Sequence, residues 1–185
     1  MYLAGAFGPA DQVDARRASI FYACDRFAAS QQIKDWLEQG KIIIANRYTS
    51  ANLGHQGGKY KSIVMWGRYI TWVLDLEYNV FAIPKPDLMI LIKTDPVLAL
   101  DWNRQVIGKK KSEREYLGKV PDIHENLQHQ LDAQESFIRL TKFYPDDFVL
   151  VDRCPNGVML EADDVHQLIL DKVFMKLELE LKVTL

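Results

Sequence analysis

The sequence predicts an α/β fold with a parallel sheet, because short apolar runs alternate along it with longer helical stretches. Three runs have the length and the β-branched or apolar composition of buried parallel strands: 41–45, 87–92 and 148–151. Strands that alternate with helices form βαβ units, in which the strands run parallel and the helices cover the sheet. The binding site of such a sheet lies beyond the carboxyl ends of its strands.

The first predicted element is a helix over 15–39. Asp14 is its expected N-cap, and Gly40 stands where a glycine commonly ends a helix. One apolar stripe of this helix is formed by Ile20, Cys24 and Phe27. The strand 41–45 follows directly, and its β-branched composition predicts a buried position in the sheet.

The remaining elements follow from polarity and from proline and glycine positions. Loops are predicted over 47–61 and 108–121, and helices over 62–80, 123–144 and 163–177. Asp95 and Pro96 form an N-cap and a first helical position, so a short helix should run to about Gln105. The tail 177–185 fits either a helix extension or an edge strand.

Composition bounds the class of protein. A chain of 185 residues with 48% hydrophobic residues can form one domain with a core, or a compact pair. A net charge of −2 argues against a dedicated nucleic-acid-binding domain. The two cysteines fit a reducing compartment, and no apolar run spans a membrane or forms a signal peptide. We therefore expect a cytoplasmic protein without a membrane partner. The histidines show no metal-ligand spacing with the cysteines, so no metal site is predicted.

Polar residues follow each predicted strand, at 46–48, 93–95 and 152–153. Two of these three places carry an arginine, Arg47 and Arg153. Guanidinium groups make bidentate bonds to phosphate oxygens, so the pattern indicates an anionic ligand. The alternative for Arg47 is an ordinary surface arginine in a polar loop.

Tyr22 and Arg26 are four residues apart and share one face of the first predicted helix. An aromatic ring beside a guanidinium group can stack on a planar base and bond to its edge. By spacing alone, a core tyrosine beside a solvated arginine is the more common arrangement.

The segment 106–121 has the composition of a mobile lid that covers phosphates. Its basic residues are Lys109, Lys110, Lys111, Arg114 and Lys119. The alternative is a solvated charge run. Asp122 and Glu125 follow at helical spacing and could sense the lid, help to handle a metal, or cap the next helix.

A glycine-rich stretch at 54–59 does not match the Walker phosphate-binding motif. That motif requires glycine where Leu53 stands and Ser or Thr where Tyr60 stands. The sequence also contains no Gly-x-Ser-x-Gly elbow and no His-Glu-x-x-His helix, so hydrolase mechanisms have no support.

Five segments, in order along the chain, resemble the thymidylate kinases. They are 2–8 with Val13-Asp14, then 21–26, 46–52, 83–88 and 122–125. The clearest is Asn46-Arg47-Tyr48, which resembles the Asp-Arg-Tyr signature of the family. The resemblance implies a three-layer nucleoside-monophosphate-kinase-like fold of the P-loop NTPase class, over one domain spanning 1–185. It also implies transfer of the γ-phosphoryl group of ATP to dTMP with Mg²⁺, and a homodimer.

The resemblance further implies a role for each matching residue. Tyr22 would stack on the thymine, Arg26 would bond to its edge, Asn52 would read the base, and Arg47 with Asn46 would serve the acceptor phosphate. Tyr48 and Gln56 would complete the substrate site. Residues on the ATP side would be Arg104, Lys109, Lys110, Lys111, Arg114 and Arg153, with Asp122 and Glu125 closing the lid.

The chain departs from the family pattern in two ways. Asn46 replaces an aspartate, and an uncharged amide in an outer-shell role should weaken catalysis by about ten- to a hundred-fold. The family's first strand, glycine loop and first helix have no counterpart in the sequence. We expect the strands 41–45 and 87–92 then to pair directly or to leave a gap. Three functions stay open: a thymidylate kinase lacking its N-terminus, a non-catalytic nucleotide-binding protein, or a related nucleoside or nucleotide kinase. The helix 62–80 could form a dimer surface or belong to the core.

Overall fold

The computed structural model describes residues 12–99 and 127–184, with side chains described as far as residue 177. These residues divide into two compact units. The first unit contains 12–85 and 127–137, and the second contains 86–99 and 138–184. None of the helices in these ranges is long and apolar enough to cross a membrane.

The first helix, α1 (Ala15–Glu38), confirms the prediction at both ends. Asp14 Oδ1 accepts hydrogen bonds from the backbone N–H groups of Arg16 and Arg17, at 3.0 and 3.1 Å. At the other end, Gly40 has a φ of 72°, and its N–H donates to the Leu37 carbonyl. A residue with positive φ at this position lets the chain turn away while the last carbonyls stay bonded.

The buried face of α1 consists of small residues, Ala15, Ala18, Ser19, Ala23 and Ser30. The apolar stripe of Ile20, Cys24 and Phe27 is exposed instead. Small side chains allow neighbouring backbones to approach closely, so the closely packed side of this helix is not its most hydrophobic side.

The predicted strand 41–45 is wrong for the described structure. The segment forms no ladder with any described residue, and Ile42 and Ile44 are 91% and 94% exposed. β-Branched residues favour an extended backbone, but a strand also needs a neighbour to pair with its N–H and C=O groups. Of the two alternatives expected for 41–45 and 87–92, direct pairing or a gap, the direct pairing is not observed among the described residues.

The predicted loop 47–61 contains regular structure, namely α2 (Thr49–His55) and a 3₁₀ turn at Gly57–Lys59. Its glycines serve close packing against α4 (Leu127–Phe143). A Cβ on Gly58 would lie 2.6 Å from the backbone carbonyl carbon and oxygen of Asp132. A glycine that indicates a loop in the sequence here permits contact between two helices.

Replacing Gly58 with alanine is expected to lower the free energy of unfolding by about 1–3 kcal/mol, because the added carbon overlaps backbone that cannot move away. Gly67→Ala is the matched control: Gly67 lies in a helix with nothing within 4 Å of its added Cβ. That variant should gain about 0.5–1 kcal/mol from helix propensity. Urea unfolding of both variants checks the prediction, and equal effects would contradict it.

The predicted helix 62–80 is confirmed as α3 (Ile63–Leu74), which continues as a π-helix over Asp75–Val80. The buried side chains of α3 belong to the core of the first unit; they are Trp66, Tyr69, Ile70 and Val73. The indole Nε1 of Trp66 donates to Ser136 Oγ at 2.8 Å, which joins α3 to α4. This face of α3 is therefore core.

The second unit contains a two-stranded parallel sheet of β1 (Met89–Lys93) and β2 (Phe148–Asp152), which confirms two of the three predicted strands. The last helix, α5 (Ala162–Thr184), continues through the tail, so the tail is a helix extension.

The N-cap at Asp95 is confirmed, because its Oδ1 accepts from the N–H groups of Val97 and Leu98. The expected course of that helix to Gln105 and the predicted lid 106–121 lie outside the described residues.

Candidate functional site

The segment 46–48 leads from residues 41–45, which have no regular secondary structure, into α2. Asn46 and Arg47 are exposed, and Arg47 has a φ of 65°. Left-handed backbone is unfavourable for a residue with a Cβ, by roughly 1–2 kcal/mol. Such strain is concentrated at functional sites, where the surrounding structure holds a side chain in a required direction.

Tyr48 is half-buried, and its hydroxyl donates to the Pro84 carbonyl at 3.0 Å. Burial raises the pKa of this phenol, the charge of Glu77 raises it further, and Arg26 opposes both effects. The hydroxyl therefore stays neutral and remains a donor at physiological pH.

A buried carboxyl group lies at the centre of the first unit's polar cluster. Glu77 is fully buried, and Arg26 of α1 donates to it through two nitrogens. The distances are 2.5 Å from Nε to Oε2 and 2.6 Å from Nη2 to Oε1. Thr49 Oγ1 donates to Oε2 at 2.9 Å, and Asn52 Nδ2 donates to Oε1 at 3.3 Å. Helices α1 and α2 and the π-helix thus meet at one carboxyl group.

Asn52 is held from a second side as well. Its Nδ2 donates to the Ser19 backbone carbonyl at 3.1 Å, and the backbone carbonyl of Asn52 accepts from the Tyr69 hydroxyl at 3.1 Å. The Tyr69 hydroxyl is also 2.8 Å from Ser19 Oγ. These bonds fix both the backbone and the amide plane of Asn52.

Helix α2 carries one buried acceptor without a hydrogen-bond partner among the described residues, and the residue directly after the helix carries another. They are Oδ1 of Asn52 and Oε1 of Gln56, whose residues are 2% and 1% exposed. An unsatisfied buried acceptor costs about 1–3 kcal/mol, so each of these two oxygens is a candidate to accept a hydrogen bond from a bound molecule.

The structure thus brings together Arg26, Tyr48 and Asn52, three of the residues predicted for the substrate site, around Glu77. Tyr22 lies one helical turn before Arg26 and is half-buried. Its stacking role stays a prediction.

In the second unit, the ends of the two strands carry a charged pair. Lys93 Nζ donates to Asp152 Oδ2 at 2.8 Å, and the N–H of Cys154 donates to Asp152 Oδ1 at 2.9 Å. The hydrogen bond with Lys93 lowers the pKa of Asp152 and raises that of Lys93. Arg153 is half-buried beside this pair in sequence, and its role toward ATP stays a prediction.

The other predicted residues lie outside the described ranges: Arg104, Lys109, Lys110, Lys111, Arg114, Asp122 and Glu125. The part of the chain that the structure describes contains no group of three or more His, Cys, Asp or Glu side chains able to hold a metal ion.

The sequence reasoning missed Glu77 and Thr49. Glu77 is 51 residues from Arg26 along the chain, so no helical spacing connects them. The available signal was an acidic residue inside a helix whose neighbours are apolar or aromatic.

The chain is similar to known proteins along most of its length. The family model for thymidylate kinase matches residues 5–152. A thymidylate kinase of Hahella chejuensis is 30% identical over 135 residues, which cover 72% of this chain and 56% of the relative. One of Lactobacillus acidophilus is 24% identical, over 76% and 59% of the two chains, and a probable thymidylate kinase of Thermococcus kodakarensis is 26% identical, over 82% and 62%. The matches thus span less than two thirds of these relatives.

Proposed function

Since the chain belongs to the thymidylate kinase family, whose fold is of the P-loop NTPase class, we propose that it serves the reaction ATP + dTMP → ADP + dTDP. A phosphate oxygen of dTMP would attack the γ-phosphorus of ATP, and the bond to the β–γ bridging oxygen would break as ADP leaves. Such a transfer depends on positioning and on neutralising charge more than on covalent chemistry of the protein.

The observation that carries the proposal is the convergence of Arg26 and Asn52 on the buried Glu77, with a buried acceptor of Asn52 left for a ligand. A planar base that offers both a donor and an acceptor would satisfy this arrangement. Tyr22, one turn from Arg26, would supply the stacking face, and the buried Gln56 and half-buried Tyr48 would line the same pocket.

Arg47 supports the phosphate end of the proposal. Its left-handed backbone is a strained conformation of a kind that is concentrated at functional sites, and a guanidinium group can bind two phosphate oxygens at once. Asn46, next to it, would donate or accept a hydrogen bond in place of a charged partner. On the ATP side we propose Arg104, Lys109, Lys110, Lys111, Arg114 and Arg153, with Asp122 and Glu125 closing the lid segment 106–121.

Magnesium belongs to this proposal as the companion of ATP. In phosphoryl transfer the ion is held largely by the substrate phosphates and neutralises their charge.

We also propose a cytoplasmic homodimer that consists of one thymidylate-kinase-like domain per chain. Both cysteines are free, which agrees with a reducing compartment. Helix α1 carries large exposed hydrophobic residues that a second copy could cover: Ile20, Phe21, Phe27, Trp36 and Leu37.

A thermal melt of the 185-residue chain with and without dTMP tests the proposal. At about one hundred times its dissociation constant, dTMP should add roughly 2.7 kcal/mol and raise the midpoint by about 5–10 °C. Purine monophosphates should leave the midpoint unchanged. Sedimentation of the same samples reports the expected dimer.

Absence of any shift would contradict the site assignment. A shift without dTDP formation from ATP would favour the non-catalytic nucleotide-binding protein, a reading supported by the uncharged Asn46. A larger shift with another pyrimidine monophosphate than with dTMP would favour the related kinase.

A further inference from the structure

We infer that Glu77 is a positioning residue that sets the donor and acceptor pattern of the base pocket, so that the pocket takes pyrimidines with an N3–H and rejects cytosine. This inference rests on the proposed function, because it concerns the base of the same nucleotide. Glu77 would act through Asn52 and Arg26 and would not touch the substrate itself.

The first step is that Glu77 has no bonding capacity left for a ligand. A carboxylate has about four lone-pair sites on its two oxygens. Arg26 occupies two of them, Thr49 a third and Asn52 a fourth. A group that is fully buried and fully bonded can influence a substrate only by holding other side chains in place.

The second step is that Glu77 decides which end of the Asn52 amide faces the pocket. The two groups beside its Nδ2 are the Glu77 carboxyl oxygen and the Ser19 carbonyl oxygen, and both are acceptors. Flipping the amide would place Oδ1 against two acceptors, so the hydrogen bonds from Nδ2 to Glu77 and to Ser19 would both be lost. The amide is therefore held with Nδ2 inward and with Oδ1 presented as an acceptor, buried and unpartnered among the described residues.

The third step concerns Arg26. Its Nε–H and one N–H of Nη2 are directed at Glu77, so three of its five N–H donors remain. The bidentate pairing fixes the plane of the guanidinium group. A base bound at this cluster would therefore meet donors from Arg26 and an acceptor from Asn52, two side chains that both contact Glu77.

This pattern matches one class of pyrimidine edge. Thymine and uracil present an acceptor at O4 beside a donor at N3–H, whereas cytosine presents a donor at N4 beside an acceptor at N3. Cytosine would place acceptor against acceptor at Asn52 Oδ1 and donor against donor at Arg26. A site built to bond a specific donor rejects the analogue that lacks it far more strongly than shape alone could.

The backbone around Glu77 agrees with a functional position. Glu77 lies within the π-helix Asp75–Val80, which directly follows the C-terminal end of α3, and π-helical turns are rare and are found frequently at functional sites. A π turn is less regular than an α turn, and here it carries a charged residue that is 0% exposed.

The test compares the affinities of dTMP, dUMP and dCMP for the wild-type chain and for Glu77→Gln, measured by calorimetry. Wild type should prefer dTMP to dCMP by at least about 100-fold. In Glu77→Gln the new amide N–H₂ can face Asn52, so its amide can flip, and the preference should fall at least about tenfold. The ratio of the dTMP affinity to the dUMP affinity should stay within about twofold of its wild-type value, because both bases carry N3–H.

The ratio of the dTMP affinity to the dUMP affinity separates a positioning role of Glu77 from a general loss of stability. A purely structural role of Glu77 would weaken all three nucleotides alike and leave both ratios unchanged, which would overturn the inference. Gly58→Ala is the control for lowered stability, because it is expected to destabilise the fold while Glu77 stays in place. It should keep the wild-type preference for dTMP over dCMP.

Glu77→Asp is the second variant in case the glutamine variant does not fold. It keeps the charge for Arg26 but is shorter by one methylene, so the 3.3 Å bond to Asn52 should be lost first. The preference against dCMP should fall in this variant too, and an unchanged preference would overturn the inference. If the proposed function itself were wrong, wild type would bind none of the three nucleotides, whereas failure of this inference alone leaves wild type selective.

Discussion

Arg26→Ala is expected to lower the free energy of unfolding by about 3–5 kcal/mol, because it leaves the carboxyl group of Glu77 buried without its charged partner. The guanidinium side chain is 12% exposed and the carboxyl side chain 0%, so water cannot replace the lost bonds. Thr49 and Asn52 still donate to Glu77, but neither carries charge. Denaturant unfolding of the purified variant measures the change.

A double-mutant cycle separates the pair from its surroundings. The combination Arg26→Met with Glu77→Leu removes both charges, so its cost should be well below the sum of the two single variants. Arg17→Ala is the matched control, since Arg17 is an exposed arginine of the same helix, and it should change stability by less than about 0.5 kcal/mol. A loss for Arg26→Ala no larger than that of Arg17→Ala would show that the buried pair contributes nothing.

Arg47→Gly is expected to weaken dTMP binding and to strengthen the fold at the same time. Loss of the charged hydrogen bonds to phosphate should reduce affinity by about 10- to 100-fold. Glycine accepts the φ of 65° without strain, so the free energy of unfolding should rise by up to about 1 kcal/mol. Calorimetric titration and denaturant unfolding measure the two effects on the same variant.

Ala82→Gly provides the matched control, because Ala82 is also exposed and has a φ of 48°. It should gain stability in the same way while dTMP affinity stays at the wild-type value. If both glycine variants bind dTMP as wild type does, Arg47 does not bind the acceptor phosphate.

Local signals were sufficient where the physics is local. Asp14 and Gly40 bound α1 because a capping carboxylate and a residue with positive φ act within one helical turn. Asp95 caps its helix for the same reason, and the apolar runs at β1 and β2 pair with each other as buried parallel strands do. The family was also recognisable from short segments, chiefly the Asn46-Arg47-Tyr48 motif.

Signals that depend on a neighbour were misleading. The run 41–45 has strand composition, but its exposed Ile42 and Ile44 have no paired strand among the described residues. The glycines of 54–58 suggested a loop, yet they serve contact with α4. In α1, the most hydrophobic stripe is exposed and the small residues are buried.

The sequence by itself therefore determined both ends of α1, two parallel strands and the family, and it indicated Arg26, Arg47 and Asn52 as candidate site residues. Only the tertiary structure decided that Arg26 and Asn52 share one buried carboxyl group, and that this group is Glu77. The physical reason is distance along the chain. Caps and periodicity act over a few residues, whereas the hydrogen-bond partners of Glu77 lie 25, 28 and 51 residues away in sequence. Those partners become neighbours only when the helices pack.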